Sequence, residues 1–305
     1  MFDVIVIGGG PAGLSAALVL GRCRRSVLIC DAGNPRNASA SALHGYLTRD
    51  GVPPKELLRL GREELAPYDV QLRNVTVTGV LCNGEHFEVT LETGDQLLAR
   101  KVLVATGVRD HVPPIDGVDA CYGISVHHCP YCDGWEVRDR RIAVIGQGAS
   151  GTGLSLSLKT WSDDIVLCTN GRARVSTKHR QQLEENGIAI VDRRIARLEH
   201  ADGRARQLVM AAGDPVPCDA VFFSSGQSLQ CDLPMRLGCE LTRKGVVKTD
   251  NLGETRVPGL YVVGDASRDV QFVIVAAAEG AKAAVAINKS LQARAGQIAD
   301  AALAS

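Results

Sequence analysis

Two cysteines separated by two residues, Cys129 and Cys132, are the side chains whose type and spacing point most directly to chemistry. A C-x-x-C pair closes a disulfide with little strain, and this setting lowers the pKa of a thiol toward neutrality, so that thiolate attacks at physiological pH. The pair could instead be half of a zinc site or two buried thiols. Zinc needs four ligands, and without a second C-x-x-C the adjacent His127 and His128 would have to complete the site. We therefore favour a reversible disulfide.

A redox pair must exchange its two electrons with another group, and two glycine-rich turns indicate where nucleotide cofactors would bind. Each turn follows an apolar run rich in Val and Ile, residues 3–7 for the first and residues 141–145 for the second. The glycines are Gly8, Gly10 and Gly13 in the first copy and Gly146, Gly148 and Gly151 in the second. In this motif glycines permit a tight turn, backbone approach to a pyrophosphate and close packing of helix on strand. Each copy is predicted to form a strand, turn, helix and strand.

The second strands of the two copies end differently. Asp31 ends the first, where an acid accepts a hydrogen bond from an adenosine ribose hydroxyl; a solvated strand-end acid is the alternative. The second strand ends instead at Cys168, followed by Thr-Asn-Gly at residues 169–171, with Arg172 and Arg174 beyond. The sequence therefore predicts a ribose-binding acid only in the first copy.

Other segments indicate the elements that position these motifs. Alternation of apolar and polar residues predicts a small antiparallel sheet over residues 74–104, and residues 187–223 repeat the pattern less regularly. Prolines and glycines at residues 113–114 and 234–245 are predicted to mark crossings between domains. A buried strand is predicted within residues 259–266, followed by an alanine-rich helix from about residue 271 to residue 291.

Composition excludes several classes of protein. Lys plus Arg and Asp plus Glu both number 34, which argues against a binder of nucleic acid or of anionic membranes. The hydrophobic share of 45% can fill a large core. The longest apolar stretch, residues 272–287, is interrupted by Glu279 and Lys282, and an acid at position 3 does not suit a signal peptide. We expect a cytoplasmic location.

The eight remaining cysteines stand singly along the chain. Disulfide frameworks are typical of short secreted chains, whereas this chain has 305 residues. We therefore predict that all eight are small hydrophobic core residues. They are Cys23, Cys30, Cys82, Cys121, Cys168, Cys218, Cys231 and Cys239.

Taken in order, these motifs resemble the low-molecular-weight thioredoxin reductases over essentially the whole chain. The resemblance rests on the two glycine turns, the C-x-x-C just ahead of the second, Ala-Thr-Gly at residues 105–107 and Gly264-Asp265 before a C-terminal helix. It implies an α/β fold of two Rossmann-like, three-layer ββα domains, the second inserted in the first. Residues 1–112 and 242–305 would form an FAD-binding domain, and residues 113–241 a nicotinamide-type domain carrying the C-x-x-C.

The resemblance also implies roles for individual residues. Cys132 would lie against the flavin, Cys129 would attack the substrate disulfide and Asp133 would be the acid/base, although a turn residue in Asp-Gly is the alternative for Asp133. Core packing is favoured for Phe272. Positions implied in FAD binding are Gly8, Gly10, Pro11, Ala12, Gly13, Asp31, Ala105, Thr106, Gly107, Gly264, Asp265, Gln271, Phe272 and Val273. No metal is expected. The resemblance implies a homodimer that reacts with a thioredoxin-like protein or with a small dithiol or disulfide. We expect no nucleic-acid or membrane partner.

Two positions point in opposite directions and leave the electron donor and acceptor open. NADPH-using members carry His-Arg-Arg at the positions that align with Thr-Asn-Gly at residues 169–171 of this chain. Arg172 or Arg174 would have to replace those arginines in binding the 2′-phosphate. Members that are dithiol oxidases tend to carry His at the position of Asp133. The Thr-Asn-Gly at residues 169–171 argues against NADPH, whereas Asp133 favours a reductase. NADPH, NADH, ferredoxin and oxygen therefore stay open, with a dithiol oxidase or a flavoprotein redox sensor as alternative functions.

Overall fold

The computed structural model of the chain describes residues 1–268 and 270–294 and divides into two compact units. The first unit contains Met1–Ala38, Lys55–Arg109 and the described residues from Ser228 onward, and the second contains Ser39–Pro54 and Asp110–Gln227. The chain thus leaves the first unit twice and returns to it twice.

The helices and strands alternate along much of the chain. The helices are α1 (Pro11–Arg22), α2 (Pro54–Glu63), α3 (Val118–Cys121), α4 (Pro130–Asp133), α5 (Gly148–Leu158), α6 (Thr177–Glu185), α7 (Leu233–Arg236) and α8 (Val273–Arg294), with a 3-10 turn at Gly264–Ala266. The strands are β1 (Phe2–Ile7), β2 (Val27–Asp31), β3 (Val70–Asn74), β4 (Val77–Cys82), β5 (Phe87–Leu91), β6 (Gln96–Val104), β7 (Val108–Asp110), β8 (Val126–His127), β9 (Ile142–Ile145), β10 (Ile165–Cys168), β11 (Ala189–Val191), β12 (Ile195–Ala201), β13 (Arg204–Met210), β14 (Val216–Pro217), β15 (Ala220–Phe223), β16 (Gln227–Leu229) and β17 (Leu260–Val262). Both glycine motifs form the predicted strand, turn, helix and strand.

The first unit is built on a seven-stranded sheet, in which six strands follow the order β3-β2-β1-β6-β5-β4 and the seventh, β17, pairs with β6. The second half of β6 pairs parallel with β17, and its first half pairs antiparallel with β5. Alternate residues of the parallel strands face two separate cores. Val4 and Val6 pack with α1 and α8 on one face, and Ile5 and Ile7 pack with β4 and β5 on the other. These layers of helix, sheet and sheet confirm the predicted three-layer arrangement.

The second unit repeats this plan. Its parallel sheet has the order β11-β10-β9-β15-β8, and a separate antiparallel sheet has the order β12-β13-β14. Ile142 and Val144 pack with helices α5 and α6, whereas Ala143 and Ile145 pack with the antiparallel sheet. Residues 187–223 showed a less regular pattern because they contribute strands to both sheets.

The unit boundaries differ from the predicted crossings. The chain passes between units after Ala38, Pro54, Arg109 and Gln227, whereas the sequence suggested crossings at residues 113–114 and 234–245. Pro234 lies in α7, within the first unit. The difference arises because proline marks a break in regular structure, and not the point at which a chain changes its packing partners.

Among residues 1–268 and 270–294, no helix has the length and apolar composition needed to cross a membrane.

Candidate redox centre and nucleotide-binding turns

Cys129 and Cys132 are joined by a disulfide, with their Cα atoms 5.3 Å apart. Cys129 has an extended backbone and immediately precedes the short helix α4. Its carbonyl accepts hydrogen bonds from the N–H groups of Cys132 and Asp133, both at 3.2 Å. This single helical turn brings the two sulfur atoms together, and both cysteines are half-buried, so the pair can meet an external thiol.

Asp133, the predicted acid/base, lies beside a buried histidine. The Nδ1 atom of His127 is 3.3 Å from Oδ1 of Asp133, and the His127 side chain is only 6% exposed. Strand β8 holds His127 next to Phe222, with ring centroids 5.3 Å apart. The opposite ring nitrogen, Nε2, is buried without a hydrogen-bond partner among the described residues. From the sequence, His127 could be considered only as a zinc ligand, to which its spacing is unsuited. Its contact with Asp133 depends on the fold, because strand β8 and helix α4 must first be placed side by side.

Aromatic side chains surround the disulfide helix. The ring of Tyr131 meets the ring of Trp161 edge-on, with centroids 5.5 Å apart. Gly134 is required here because a Cβ would lie 2.5 Å from the Pro130 carbonyl oxygen and 2.7 Å from the Trp161 ring. Trp135 is exposed and carries the Arg138 guanidinium 4.1 Å from its ring centroid. The glycine of the Asp-Gly pair thus serves ring packing, so that Asp133 is not explained by a tight turn alone.

Residues 39–54 also belong to the unit that carries the disulfide, which the sequence did not indicate. His44 lies between two acids, with Nε2 3.5 Å from Glu136 and Nδ1 3.6 Å from Asp50. Further along the unit, a Cβ on Gly123 would lie 2.7 Å from the Ser39 backbone. These contacts fix the segment close in space to the residues that follow the C-x-x-C.

The first glycine turn forms an open cradle. Gly8 has φ +108, and a Cβ there would lie 2.5 Å from the Ala105 carbonyl oxygen. A Cβ on Gly10 would meet nothing within 4 Å, and no side chain caps α1, which begins at Pro11. Backbone N–H groups at an uncapped helix start favour an anion. The cradle therefore fits the pyrophosphate of a dinucleotide.

Asp31 lies at the end of β2, directly beside this turn. Its carboxylate accepts hydrogen bonds from the Gly33 N–H at 3.2 Å and from Nη2 of Arg62 at 2.8 Å. A Cβ on Gly9 would stand 2.6 Å from Asp31 Oδ2, so only glycine leaves room for the acid. The geometry fits the predicted binding of a ribose hydroxyl.

Asp265 lies in the 3-10 turn that precedes α8. Nη1 of Arg36 donates to Asp265 Oδ2 at 2.8 Å and to Gln271 Oε1 at 2.7 Å. Arg36 thus connects two predicted cofactor residues, and the sequence offered no sign of it because it lies far away along the chain. Phe272 is half-buried, and Val273 begins α8.

The loop containing Ala105, Thr106 and Gly107 follows β6. Ala105 is buried against Gly8, as described above, and Thr106 Oγ1 is 3.3 Å from the Cys231 sulfur. All of the predicted cofactor positions in Gly8–Asp31, 105–107 and 264–273 therefore lie in the first unit.

The second glycine turn is packed more tightly. A Cβ on Gly146 would lie 2.5 Å from Ser224 Oγ and 2.7 Å from the Gly151 backbone. Beyond β10, Asn170 accepts a hydrogen bond from the Ile195 N–H at 2.9 Å. The side chains of Arg172 and Arg174 are exposed.

Five of the eight single cysteines are buried, as predicted: Cys30, Cys121, Cys168, Cys218 and Cys239. Burial raises the pKa of the Cys168 and Cys218 thiols to about 12 and that of Cys30 to about 11, which suppresses the reactive thiolate. Cys231 is half-buried, and the prediction was wrong for Cys23 and Cys82, which are exposed. Cys23 follows the last turn of α1 and Cys82 ends β4, and an isolated cysteine gives no signal of such a position.

A sequence model of the pyridine nucleotide-disulphide oxidoreductases matches residues 2–280. The chain belongs to this family. The "Probable thioredoxin reductase" of Arthroderma benhamiae is 32% identical over 301 residues, which cover 88% of this chain and 74% of that protein. The crystal structure of HlmI matches with a TM-score of 0.90 and 36% identity over 98% of each chain. The oxidoreductase from Agrobacterium tumefaciens matches with a TM-score of 0.88 and 32% identity, over 95% of this chain and 98% of that one.

This pyridine nucleotide-disulphide oxidoreductase is therefore a thioredoxin reductase-like enzyme and a flavoprotein. The predicted family, fold class and reaction class are confirmed.

Proposed function

We propose that the enzyme is an FAD-dependent thiol-disulfide oxidoreductase that exchanges two electrons between the Cys129–Cys132 pair and an external dithiol or disulfide. The observation that carries this proposal is the disulfide itself, held at the start of α4 with a carboxylate one residue beyond it. The half-buried sulfur atoms can be reached by a thiolate.

The exchange proceeds by two thiolate attacks. An external thiolate attacks the Cys129 sulfur, the Cys129–Cys132 bond breaks, and Cys132 leaves as a thiolate. The second external thiolate then attacks the mixed disulfide and releases Cys129, so that one external disulfide and two protein thiols result. Asp133 accepts and returns the proton of the Cys132 thiol, and His127 holds the Asp133 carboxylate in place. The same steps run backwards when an external disulfide is reduced.

The first unit would hold FAD. Its residues fit the cofactor because Gly10 leaves an open cradle at the start of α1 and Asp31 borders it. Bound FAD would supply the acceptor or donor of the electron pair that the two cysteines carry. The proposed contacts are Gly8, Gly10, Pro11, Ala12, Gly13, Asp31, Ala105, Thr106, Gly107, Gly264, Asp265, Gln271, Phe272 and Val273.

A second candidate is a dithiol oxidase, in which a dithiol donates electrons and oxygen accepts them. The end of β10 favours it over an NADPH-dependent enzyme. Thr169 is 1% exposed, and its hydroxyl donates to the Gly171 carbonyl at 2.6 Å, so this position offers no guanidinium to a 2′-phosphate.

We also propose a cytoplasmic homodimer that acts on a thioredoxin-like protein or a small dithiol or disulfide. The family resemblance supports the dimer and the partner. The balanced charge gives no support to a nucleic-acid partner or an anionic membrane.

Anaerobic reduction of the purified enzyme tests the proposal. NADPH, NADH and a dithiol such as dithiothreitol are added separately while the visible flavin absorbance is followed. We expect the dithiol to bleach the flavin of the wild type. In Cys132→Ser the bleaching should be lost while the flavin stays bound. Recovery of absorbance in air favours the oxidase, whereas rapid bleaching by NADPH favours the reductase. Failure of every dithiol and disulfide to turn over would contradict the proposal and leave a redox sensor.

A further inference from the structure

We propose that the second glycine turn is closed to nicotinamide nucleotides by this chain's own Gln147, which makes Gln147 the residue that determines whether the second unit accepts a nucleotide. The inference rests on the proposed function and deepens it, because it removes nicotinamide nucleotides from the possible donors of reducing electrons. It follows from comparing the two glycine turns of this chain with each other.

The two turns share one register. Ile7 pairs with Cys30 in the first unit, and Ile145 pairs with Cys168 in the second, each between the first two strands of its motif. The residue that follows Cys168 is Thr169, which therefore occupies the position of Asp31. By the same alignment, Gln147 occupies the position of Gly9.

A side chain at the position of Gly9 would displace the Asp31 side chain in the first unit. A Cβ there would lie 2.6 Å from Asp31 Oδ2, so glycine keeps this space free for the acid and for its ligand. In the second unit the Gln147 side chain enters the equivalent space. Its Nε2 atom donates a hydrogen bond to the Thr169 carbonyl, and its Oε1 atom accepts one from the Arg174 N–H at 3.2 Å. The amide therefore fills the place where a ribose would lie.

The second glycine of each turn shows the same contrast. A Cβ on Gly10 would meet nothing within 4 Å, whereas a Cβ on Gly148 would stand 3.3 Å from the Arg174 carbonyl oxygen. A pyrophosphate must approach the backbone at this glycine. The Arg174 carbonyl oxygen occupies the space through which a pyrophosphate would reach Gly148, and its partial negative charge repels an anion. The loop from Thr169 to Arg174 thus covers the turn that it would otherwise border.

Several other hydrogen bonds hold the loop of residues 169–174 in place. Thr169 donates its N–H to the Val191 carbonyl at 3.0 Å, and Gly171 donates its N–H to the Arg193 carbonyl at 3.0 Å. The Asn170 side chain accepts the Ile195 N–H at 2.9 Å. Gln147 is the side chain that connects this fixed loop to the glycine turn. No side chain caps α5, which begins at Gly148, so its first N–H groups are available to a phosphate once the Gln147 amide no longer holds the loop against the turn.

Equilibrium binding tests the proposal without relying on turnover. Isothermal titration of the FAD-loaded enzyme with NADPH and with NADH is compared for the wild type, Gln147→Gly and Gln147→Ala. We expect no saturation of the wild type at millimolar nucleotide, and an affinity at least about tenfold higher for Gln147→Gly, equivalent to about 1.4 kcal/mol. Gln147→Ala keeps a Cβ and should gain less. The matched control is Gln181→Ala on the exposed face of α6, which should bind as the wild type does.

Two results would overturn the proposal. One is saturation of the wild type by micromolar NADPH or NADH. The other is an unchanged affinity in both Gln147 variants when their circular dichroism and flavin spectra match those of the wild type. Dithiol bleaching of the flavin, measured on the same samples, reports separately on the proposed function. An enzyme that fails to bleach yet gains nucleotide affinity on Gln147→Gly would contradict the function and support the closed turn.

Discussion

His127 and Asp133 form the most specific feature at the scale of single residues. The 3.3 Å contact couples a buried imidazole to the carboxylate that follows the disulfide. A buried polar group without a partner is costly, and the Nε2 atom of His127 is one of few such atoms among the described residues. Its position beside a redox pair is the basis for proposing a role in proton handling.

Replacement of His127 tests that role. We expect Asp133→Asn to lower kcat for dithiol exchange by about a hundredfold, and His127→Gln by about tenfold, because the imidazole acts through the carboxylate. KM should change little, since neither side chain is proposed to bind substrate. Steady-state kinetics with a small dithiol provides the measurement. His200→Gln, at an exposed position in β12, is the control, and equal losses in both histidine variants would disprove a specific role for His127.

The single cysteines give a second prediction at this scale. Iodoacetamide at pH 8 should label Cys23 and Cys82, which are exposed, within minutes. It should leave Cys168 and Cys218 unlabelled, because burial raises the pKa of both thiols to about 12 and the thiolate is scarce. Mass spectrometry of tryptic peptides distinguishes these sites. In guanidinium chloride all four should react, and labelling of Cys168 in the folded enzyme would contradict the buried position.

At the scale of elements, the two strand-turn-helix units were predictable because the glycine spacing and the apolar runs are local. The positions of residues 39–54 and of His127 were not, since both depend on contacts between segments distant in sequence. Gln147 shows the limit most clearly. A glycine motif in the sequence reports that a turn forms, and only the residues brought to that turn by the fold decide whether a ligand can enter it.

The open cradle at α1 leads to a prediction about its second glycine. Gly10→Val should abolish FAD binding and leave the folded apoprotein nearly as stable as the wild type, because a Cβ at Gly10 meets no protein atom within 4 Å. Gly153→Val is the matched control, since Gly153 in α5 is equally unobstructed and lies away from the first turn. Flavin absorbance after gel filtration measures retention, and denaturant unfolding measures stability. A Gly10→Val protein that keeps its flavin would show that the cradle is not used.

At the scale of the whole molecule, the proposed homodimer has a direct test. Sedimentation equilibrium should give twice the chain mass of 32.4 kDa at micromolar concentration. Dilution to nanomolar concentration should leave this mass unchanged, because permanent dimers of this kind bury large apolar interfaces. A mass of one chain at micromolar concentration would contradict the dimer.

The pairing of β6 with β17 has a consequence for the order in which the chain folds during synthesis. The sheet of the first unit lacks a strand until Leu260–Val262 has left the ribosome, whereas every residue of the second unit, the last of which is Gln227, has emerged by then. Long-range strand pairing is slow, and domains fold as their sequences become complete. We therefore expect the inserted unit to become resistant to protease first on stalled ribosomes, before the sheet of the first unit is complete.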